Sequence, residues 1–248
     1  MPLVLITGCS SGIGRALADA YKHAGYEVWA TARKTADVAQ LKADGFVAVQ
    51  LDVNDSLDVD RLSKRIKQHG QGLDVLINNA FRVPSMKPFA NTTFEHMRDA
   101  IELTVFGALR MTQGFTPALE AAKGAVVNVN SMVVRHSQAK YGAYKMAKSA
   151  LLAMSQTLST ELGEKGIRVN SVMPGYIWGE TLEGYFGHQA QKYGTTVEQI
   201  YAASAAGSDL KRLPTEDEVA SAILFLASDL SSGITGQSLD VNCGEYKA

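Results

Sequence analysis

Cysteine is scarce in this chain. Cys9 and Cys243 stand alone, too few and too unpatterned for a disulfide framework or a thiolate metal site. His188 has no partners at metal-ligand spacing either, so no metal is expected. Neither sign of charge is in surplus: 24 Lys and Arg stand against 25 Asp and Glu, a formal net charge of -1. That argues against the broad electrostatics by which proteins hold nucleic acid or an anionic membrane surface. No apolar run approaches the roughly 20 residues of a membrane-crossing helix. The opening MPLVLITG lacks the charged region and long apolar core of a secretory signal. Internal repeats and low-complexity linkers are also missing. A reducing, cytoplasmic setting is expected, with neither nucleic acid nor membrane as partner.

What is there is an alternation of short apolar runs and longer helical patterns over 248 residues. Leu3 to Ile6, Glu27 to Ala32, Phe46 to Leu51, Leu73 to Ile77, Ala125 to Val129, Arg168 to Val172 and Gln237 to Val241 read as strands. Ser56 is the expected cap of a helix over Leu57 to His69. A long helix is expected from Thr92 or Thr93 to about Ala121, broken near Pro117. Further helices are expected over Tyr141 to Leu162 and Thr215 to Ala227, the second with an acidic first turn that suits the helix dipole. Repeated βα units predict a parallel sheet with helices on both faces. Ligands of such sheets bind beyond the C-terminal strand ends, so the turns after Ile6, Ala32, Leu51, Ile77, Val129 and Val172 share one rim.

Three stretches of that rim carry chemistry. Thr7-Gly8-Cys9-Ser10-Ser11-Gly12-Ile13-Gly14 lies between the first strand and the helix RALADAYKHAG. Glycines let a phosphate approach the backbone, and the helix end offers free N–H groups. A tight turn without ligand is the ordinary reading; its position between strand and helix favours a nucleotide. At the end of the second strand, Ala32-Arg33-Lys34 offers no acid for a free 2′-hydroxyl and two cations for a 2′-phosphate. NADP(H) is therefore preferred, with NAD(H) possible. Arg15 is a candidate helper, while Lys34 reads as solvated surface charge.

The third stretch is SMVVRHSQAKYGAYKMAK, from Ser131 to Lys148. Tyr144 and Lys148 are i and i+4 and share a helix face. A lysine ammonium near a phenol favours the phenolate, which lowers the tyrosine pKa from its reference of about 10. A phenol so tuned exchanges a proton with an alcohol. Ser131, at a strand end, is placed to hydrogen-bond the same oxygen. A lone Tyr-x-x-x-Lys usually means nothing, and Tyr141 and Lys145 repeat the spacing.

With these elements in order, the chain resembles the classical short-chain dehydrogenase/reductase family over nearly its whole length. The resemblance rests on TGCSSGIG, Asp52-Val53, Asn78-Asn79-Ala80, Ser131, Tyr144 to Lys148, and Pro174-Gly175. It implies one Rossmann-like doubly wound domain over 1–248, with about seven parallel strands, helices on both faces and a substrate lid at about 177–214. By that resemblance Tyr144 is the acid/base, Ser131 polarises the substrate oxygen, and Lys148 binds the nicotinamide ribose and lowers the tyrosine pKa. The spacing to Ser131 selects Tyr144 over Tyr141. Gly8, Gly12 and Gly14 would hold the pyrophosphate side, with Ser10, Ser11 and Ile13 between them. Asp52 would contact adenine beside Val53, and Asn79 and Ala80 lie under the cofactor. Pro174, Gly175 and Ile177 complete the cofactor set, Ile177 through its backbone at the carboxamide. Relatives commonly form tetramers, so a homo-oligomer, tetramer or dimer, is expected.

The departures fall after Ala80. Phe81 stands where the family has glycine. Thr104 aligns with the asparagine of the usual catalytic tetrad, and its hydroxyl is a candidate to hold a relay water. Gly179 replaces a threonine, with Thr181 as the nearest substitute, and Asn130 stands where serine is common. Asp240 to Gly244 departs mildly from the usual ending. These changes fit either a diverged substrate half or two halves of different origin. Trp178, Tyr185, Phe186 and Tyr193 are candidates for a pocket or for helix packing. Arg82, Arg135 and His136 are candidates for an anionic substrate group or ordinary surface charge.

The expected function is NADP(H)-dependent interconversion of a secondary alcohol and a carbonyl compound, ketone or aldehyde. Enoyl reduction through Tyr141 is a rival, since Tyr141 to Lys148 has the gap of enoyl reductases in this superfamily. A non-catalytic NADP(H)-binding regulatory protein on the same fold is the other.

Overall fold

A computed structural model describes residues 1–83 and 85–247. Seven strands form one parallel sheet: β1 (Leu3–Ile6), β2 (Glu27–Ala32), β3 (Val47–Gln50), β4 (Val75–Asn78), β5 (Ala125–Val129), β6 (Arg168–Pro174) and β7 (Ser238–Val241). Their order is β3-β2-β1-β4-β5-β6-β7. β1 and β5 are buried at every residue. A parallel strand covered on both faces must be apolar throughout, which is why these runs do not alternate. The order reverses direction between β1 and β4, and a crevice opens there at the C-terminal strand ends.

Helices α1 (Gly12–His23), α2 (Thr35–Ala43) and α3 (Ser56–His69) follow the first three strands. Then come α4 (Phe94–Ile101), α5 (Gly107–Ala122), α6 (Gly142–Gly163), α7 (Glu180–Tyr193), α8 (Val197–Ala205) and α9 (Glu216–Ala227). One core lies between the sheet and α1 with α9, around Ile6, Leu17, Tyr21, Val127 and Ile223. The opposite core lies under α3, α5 and α6, around Leu5, Ile66, Phe115, Val126 and Leu158. No helix among the described residues is long and apolar enough to cross a membrane.

Three local expectations need correction. The cap of α3 is Asp55, whose carboxylate accepts from Leu57 N, and Ser56 is the first helical residue. An Asp carboxylate does this as well as a Ser hydroxyl. The helix pair α4–α5 is interrupted at Glu102–Phe106, a π-helical turn, while Pro117 lies inside α5. The carbonyls near the proline find hydroxyl donors: Thr116 Oγ1 to Thr112 O at 2.7 Å and Ser63 Oγ to Gly114 O at 2.7 Å. The carbonyl deprived of its helical donor by the proline is that of Gln113, which lies between these two. Helix α2 was not anticipated; it buries only Val38 and Leu41.

Candidate active site

The glycine turn is held from below by side chains of β1 and β4. Thr7 Oγ1 donates to Ile77 O at 3.2 Å and accepts from the backbone of Asn79 and Ala80, each at 2.9 Å. Asn79 Nδ2 donates to Thr7 O at 2.9 Å and Gly8 O at 3.0 Å. Gly8 and Gly12 have φ of +76° and +59°, which side-chain residues rarely adopt. A Cβ on Gly14 would lie 2.0 Å from Gly8 O, so the turn closes only with glycine there. Helix α1 begins at this turn with no side-chain cap from Ser11 and no acid in its first turn. Its N–H groups are left for an anion.

The turn forms one wall of a cleft of about 610 Å³. Gly8, Ser10, Ser11, Gly12, Ile13 and Gly14 line it together with Arg33, Val53, Asn79 and Ala80. Across the cleft stand Ser131, Tyr144, Lys148, Pro174, Gly175 and Ile177. The expected site residues therefore converge on one cavity, with two exceptions. Asp52 is not on the wall; its carboxylate accepts from Asn54 N at 2.9 Å and shapes the turn after β3. Thr104 is buried and lines a separate water-sized cavity of about 10 Å³ with Thr7, Asn78 and Lys148. Arg15 does not line the cleft, and Asp19 at 2.9 Å and Asp44 at 2.5 Å engage its guanidinium.

Ser131 lies two residues past the end of β5 and opens a short 3₁₀ turn, its Oγ accepting from Val133 N at 3.2 Å. Asn130 Oδ1 accepts from Ser131 N at 2.9 Å, while the buried Asn130 Nδ2 has no protein partner. Tyr144 sits in the first turn of α6. Burial pushes its phenol up to about 12, with the Ser131 side-chain hydrogen bond pulling the other way. This reverses the expected lowering. Lys148 is itself buried, and desolvation pushes its ammonium down to about 7. Its Nζ donates to Val129 O at 2.7 Å and lies 5.1 Å from the centre of the Phe81 ring. The phenol of Tyr141 is bonded to that of Tyr176 at 2.6 Å, and Tyr141 does not line the cleft.

Several wall residues were not singled out from sequence. Asp37, on the unanticipated α2, shares the wall with Arg33 and Lys34. Tyr176, Leu182 and Glu216 also line it, as does Thr181, the named substitute for the missing threonine. Of the aromatic candidates, Trp178 and Phe186 pack in a small core with Tyr201 and Leu213. Tyr185 and Tyr193 are exposed. Arg135 is paired with Asp240 at 3.2 Å and His136 stacks on Tyr246 at 4.6 Å, so neither is free for an anionic substrate. Arg82 is an exposed residue 3.7 Å from Asp99. No cluster of His, Cys, Asp or Glu among the described residues has the makings of a metal site.

The fold and this constellation define an oxidoreductase class. The family pattern described as Enoyl-(Acyl carrier protein) reductase matches residues 8–245. The chain belongs to the short-chain dehydrogenase/reductase family. It is 38% identical to the short-chain dehydrogenase ptmH of Penicillium ochrochloron over 83% of this chain and 77% of that one. It is 39% identical to the NADPH-dependent 1-acyldihydroxyacetone phosphate reductase of Schizosaccharomyces pombe, over 69% of this chain and 58% of that one. Among solved structures, L-sorbose reductase of Gluconobacter frateurii, complexed with NADPH and L-sorbose, superimposes with a TM-score of 0.91 at 26% identity. That match covers 100% of this chain and 97% of the other.

Proposed function

We propose that the protein is an NADP(H)-preferring reductase or dehydrogenase acting between a ketone or aldehyde and its alcohol, with Tyr144 as acid/base. The observation that carries this is the sharing of one cleft wall-to-wall by the glycine turn and by Ser131, Tyr144 and Lys148. The residues present fit a dinucleotide. A cradle closed to any Cβ at Gly14 meets an uncapped helix end, and the unpartnered Asn130 Nδ2 is a buried donor beside the cleft.

Gly8 to Gly14 would hold the pyrophosphate, Arg33 the 2′-phosphate, and Lys148 with Ile177 the nicotinamide end. The nicotinamide supplies or accepts the hydride. Ser131 orients the substrate oxygen, and Tyr144 moves the proton between its phenol and that oxygen. With the free phenol at about 12, Tyr144 is a proton donor at neutral pH, the state that carbonyl reduction needs. Two relatives whose names carry NADPH support the cofactor preference. The first turn of α7, whose Thr181 and Leu182 line the cleft, belongs to the cover that excludes water.

Enoyl reduction through Tyr141 is the weaker reading despite the family description, because Tyr141 stands off the cleft and is tied to Tyr176. The deciding experiment follows NADPH and NADH absorbance against ketones, aldehydes and enoyl thioesters for the parent and Tyr144→Phe. Carbonyl-dependent NADPH loss that disappears in the variant supports the proposal. Enoyl turnover that survives Tyr144→Phe moves the chemistry to Tyr141. Tight NADPH binding with silence on every substrate favours a binding protein.

A further inference from the structure

Glu216 is the first residue of α9, yet its carboxylate reaches back into the cofactor cleft. Its Oε1 lies 3.7 Å from where a Cβ on Gly12 would stand, and Gly12 is the first residue of α1. On its other side it occupies the space beside Gly179, where an added Cβ would clash with the carboxylate. The departure at Gly179 and the intrusion of Glu216 are thus one feature: the side chain absent from 179 makes room for the acid of 216. The uncapped start of α1 favours an anion there, so the Glu216 carboxylate and a dinucleotide pyrophosphate compete for the same place.

No cation neutralises it. Among the described residues Glu216 forms no ion pair. On its own helix Asp217 is acidic and Glu218 is bound to Arg212 at 2.6 Å. From α7 it faces Glu180. On α1 Arg15 is occupied by Asp19 and Asp44. Elsewhere on the cleft wall are Arg33, Lys34 and Asp37, at the end of β2 and the start of α2, and Lys148 of α6, whose Nζ donates to Val129 O at 2.7 Å. Burial first, then Asp217 and Glu180, hold the Glu216 carboxyl above the usual carboxylate range.

We propose that Glu216 faces the dinucleotide pyrophosphate as a neutral acid, so that cofactor binding takes up a proton at residue 216. This rests on the reading of the cleft as a dinucleotide site and adds a residue that governs affinity there. The sign follows from linkage. Two anions at close range raise the pKa of the carboxyl in the complex above that in the free protein. Binding then weakens as pH rises from the free to the bound value, by about tenfold for each unit that separates them.

The test is NADPH binding, not turnover: calorimetric titration of the parent and Glu216→Gln between pH 5 and 8.5, each in two buffers of different ionisation enthalpy. Glutamine is the permanently neutral counterpart. The expected result is that Glu216→Gln binds NADPH about tenfold tighter than the parent at pH 8 and equally at pH 5. The parent takes up more protons than the variant, and this difference subtracts any titration of the NADPH 2′-phosphate. Equal proton uptake in both proteins overturns the proposal. So does weaker binding by Glu216→Gln at pH 8, which would make the carboxylate an acceptor for the cofactor. A parent that binds no NADPH at any pH overturns the dinucleotide reading itself, and this inference with it.

Discussion

The rings of Phe81 and Tyr144 lie 5.5 Å apart, tilted by 51°, and the Lys148 ammonium stands 5.1 Å from the Phe81 ring centre. An aromatic face thus covers the lysine that the tyrosine would otherwise share with water. Phe81 is 44% exposed and lines the cleft beside Lys148, so it is not a core residue. Replacing it should hydrate Lys148. In Phe81→Gly the lysine pKa should climb from about 7 toward its ordinary value. The alkaline or acid limb that Lys148 sets in the pH profile of kcat/KM should move up by about one unit or more. Phe81→Leu keeps the apolar cover and should move it less. Superimposable profiles for all three proteins would show that Phe81 does not control the lysine.

Lys148 should also mark the stability of the protein with pH. Its folded pKa, about 7, is below the 10.5 of the exposed group. Below pH 7 it is charged in both states, and the full cost of burying the charge is present. Between pH 7 and 10.5 the unfolded chain binds the extra proton, so stability rises with pH, by up to about 1.4 kcal/mol per unit from this group. Lys148→Met should remove that rise whatever it does to absolute stability through loss of the bond to Val129 O. Denaturant titrations at pH 6, 7.5 and 9 read the slope directly. A parent and variant that change in parallel with pH would exclude the buried, readily neutralised lysine.

The sheet was legible because its strands are covered on both faces: LVLI and AVVNV need no partner to be read as β1 and β5. Helix α2 was not, since TADVAQLKA buries two residues against one edge of the sheet and carries no strong stripe. The π-turn at Glu102–Phe106 leaves no mark in the residue pattern, and the close approach of Val53 to Gly107 just after it is equally invisible there. At the site, residue types and spacing pointed to Ser131, Tyr144 and Lys148. Their electrostatics were hidden, because the pKa of Lys148 falls through burial, which spacing along α6 does not reveal. Glu216 was read only as a first-turn acid of its helix; that it turns into the cleft depends on the missing side chain at Gly179.

Tyr144 gives a spectroscopic check on that electrostatic picture. With its phenol at about 12, it should stay protonated through the ordinary working range. Absorbance at the phenolate band should therefore rise identically in the parent and Tyr144→Phe between pH 6 and 10 without cofactor. A phenolate transition near neutral pH that is lost in the variant would restore the simple lysine-lowered tyrosine.

Thr104 should act through the small cavity and not through the cleft. The cavity of about 10 Å³ is the size of one water and is lined by Thr104, Asn78 and Lys148. Asn78 Oδ1 is buried there without a protein partner. A water needs two to four polar partners, and these groups offer three. Thr104→Val keeps the shape and removes the hydroxyl. It should lower kcat by about tenfold, less than the roughly 10²–10⁴-fold of a direct acid–base contact because the hydroxyl acts through a water, and leave the NADPH dissociation constant unchanged. Thr104→Ser should restore most of the rate. A loss of NADPH affinity in Thr104→Val would instead give this residue a structural role under the cofactor.

Arg33 should set the choice between the two dinucleotides. It is exposed at the end of β2, and Gln50 Nε2 fixes its backbone by donating to Arg33 O at 2.9 Å. Its charge has no carboxylate partner among the ion pairs of the described residues, which leaves the guanidinium available to a phosphate. Arginine forks match phosphate oxygens, and such charged bonds are about twice as strong as neutral ones. Arg33→Ala should weaken NADPH binding by about ten- to a hundredfold and leave NADH nearly unchanged. Asp37 is on the same wall and of the opposite sign, so Asp37→Asn should strengthen NADPH binding while Lys34→Ala weakens it slightly. Because these groups are exposed, all three effects should shrink between 50 and 500 mM salt. An Arg33→Ala protein that loses NADH and NADPH in equal measure would mean that residue 33 shapes the pocket and does not read the 2′-phosphate.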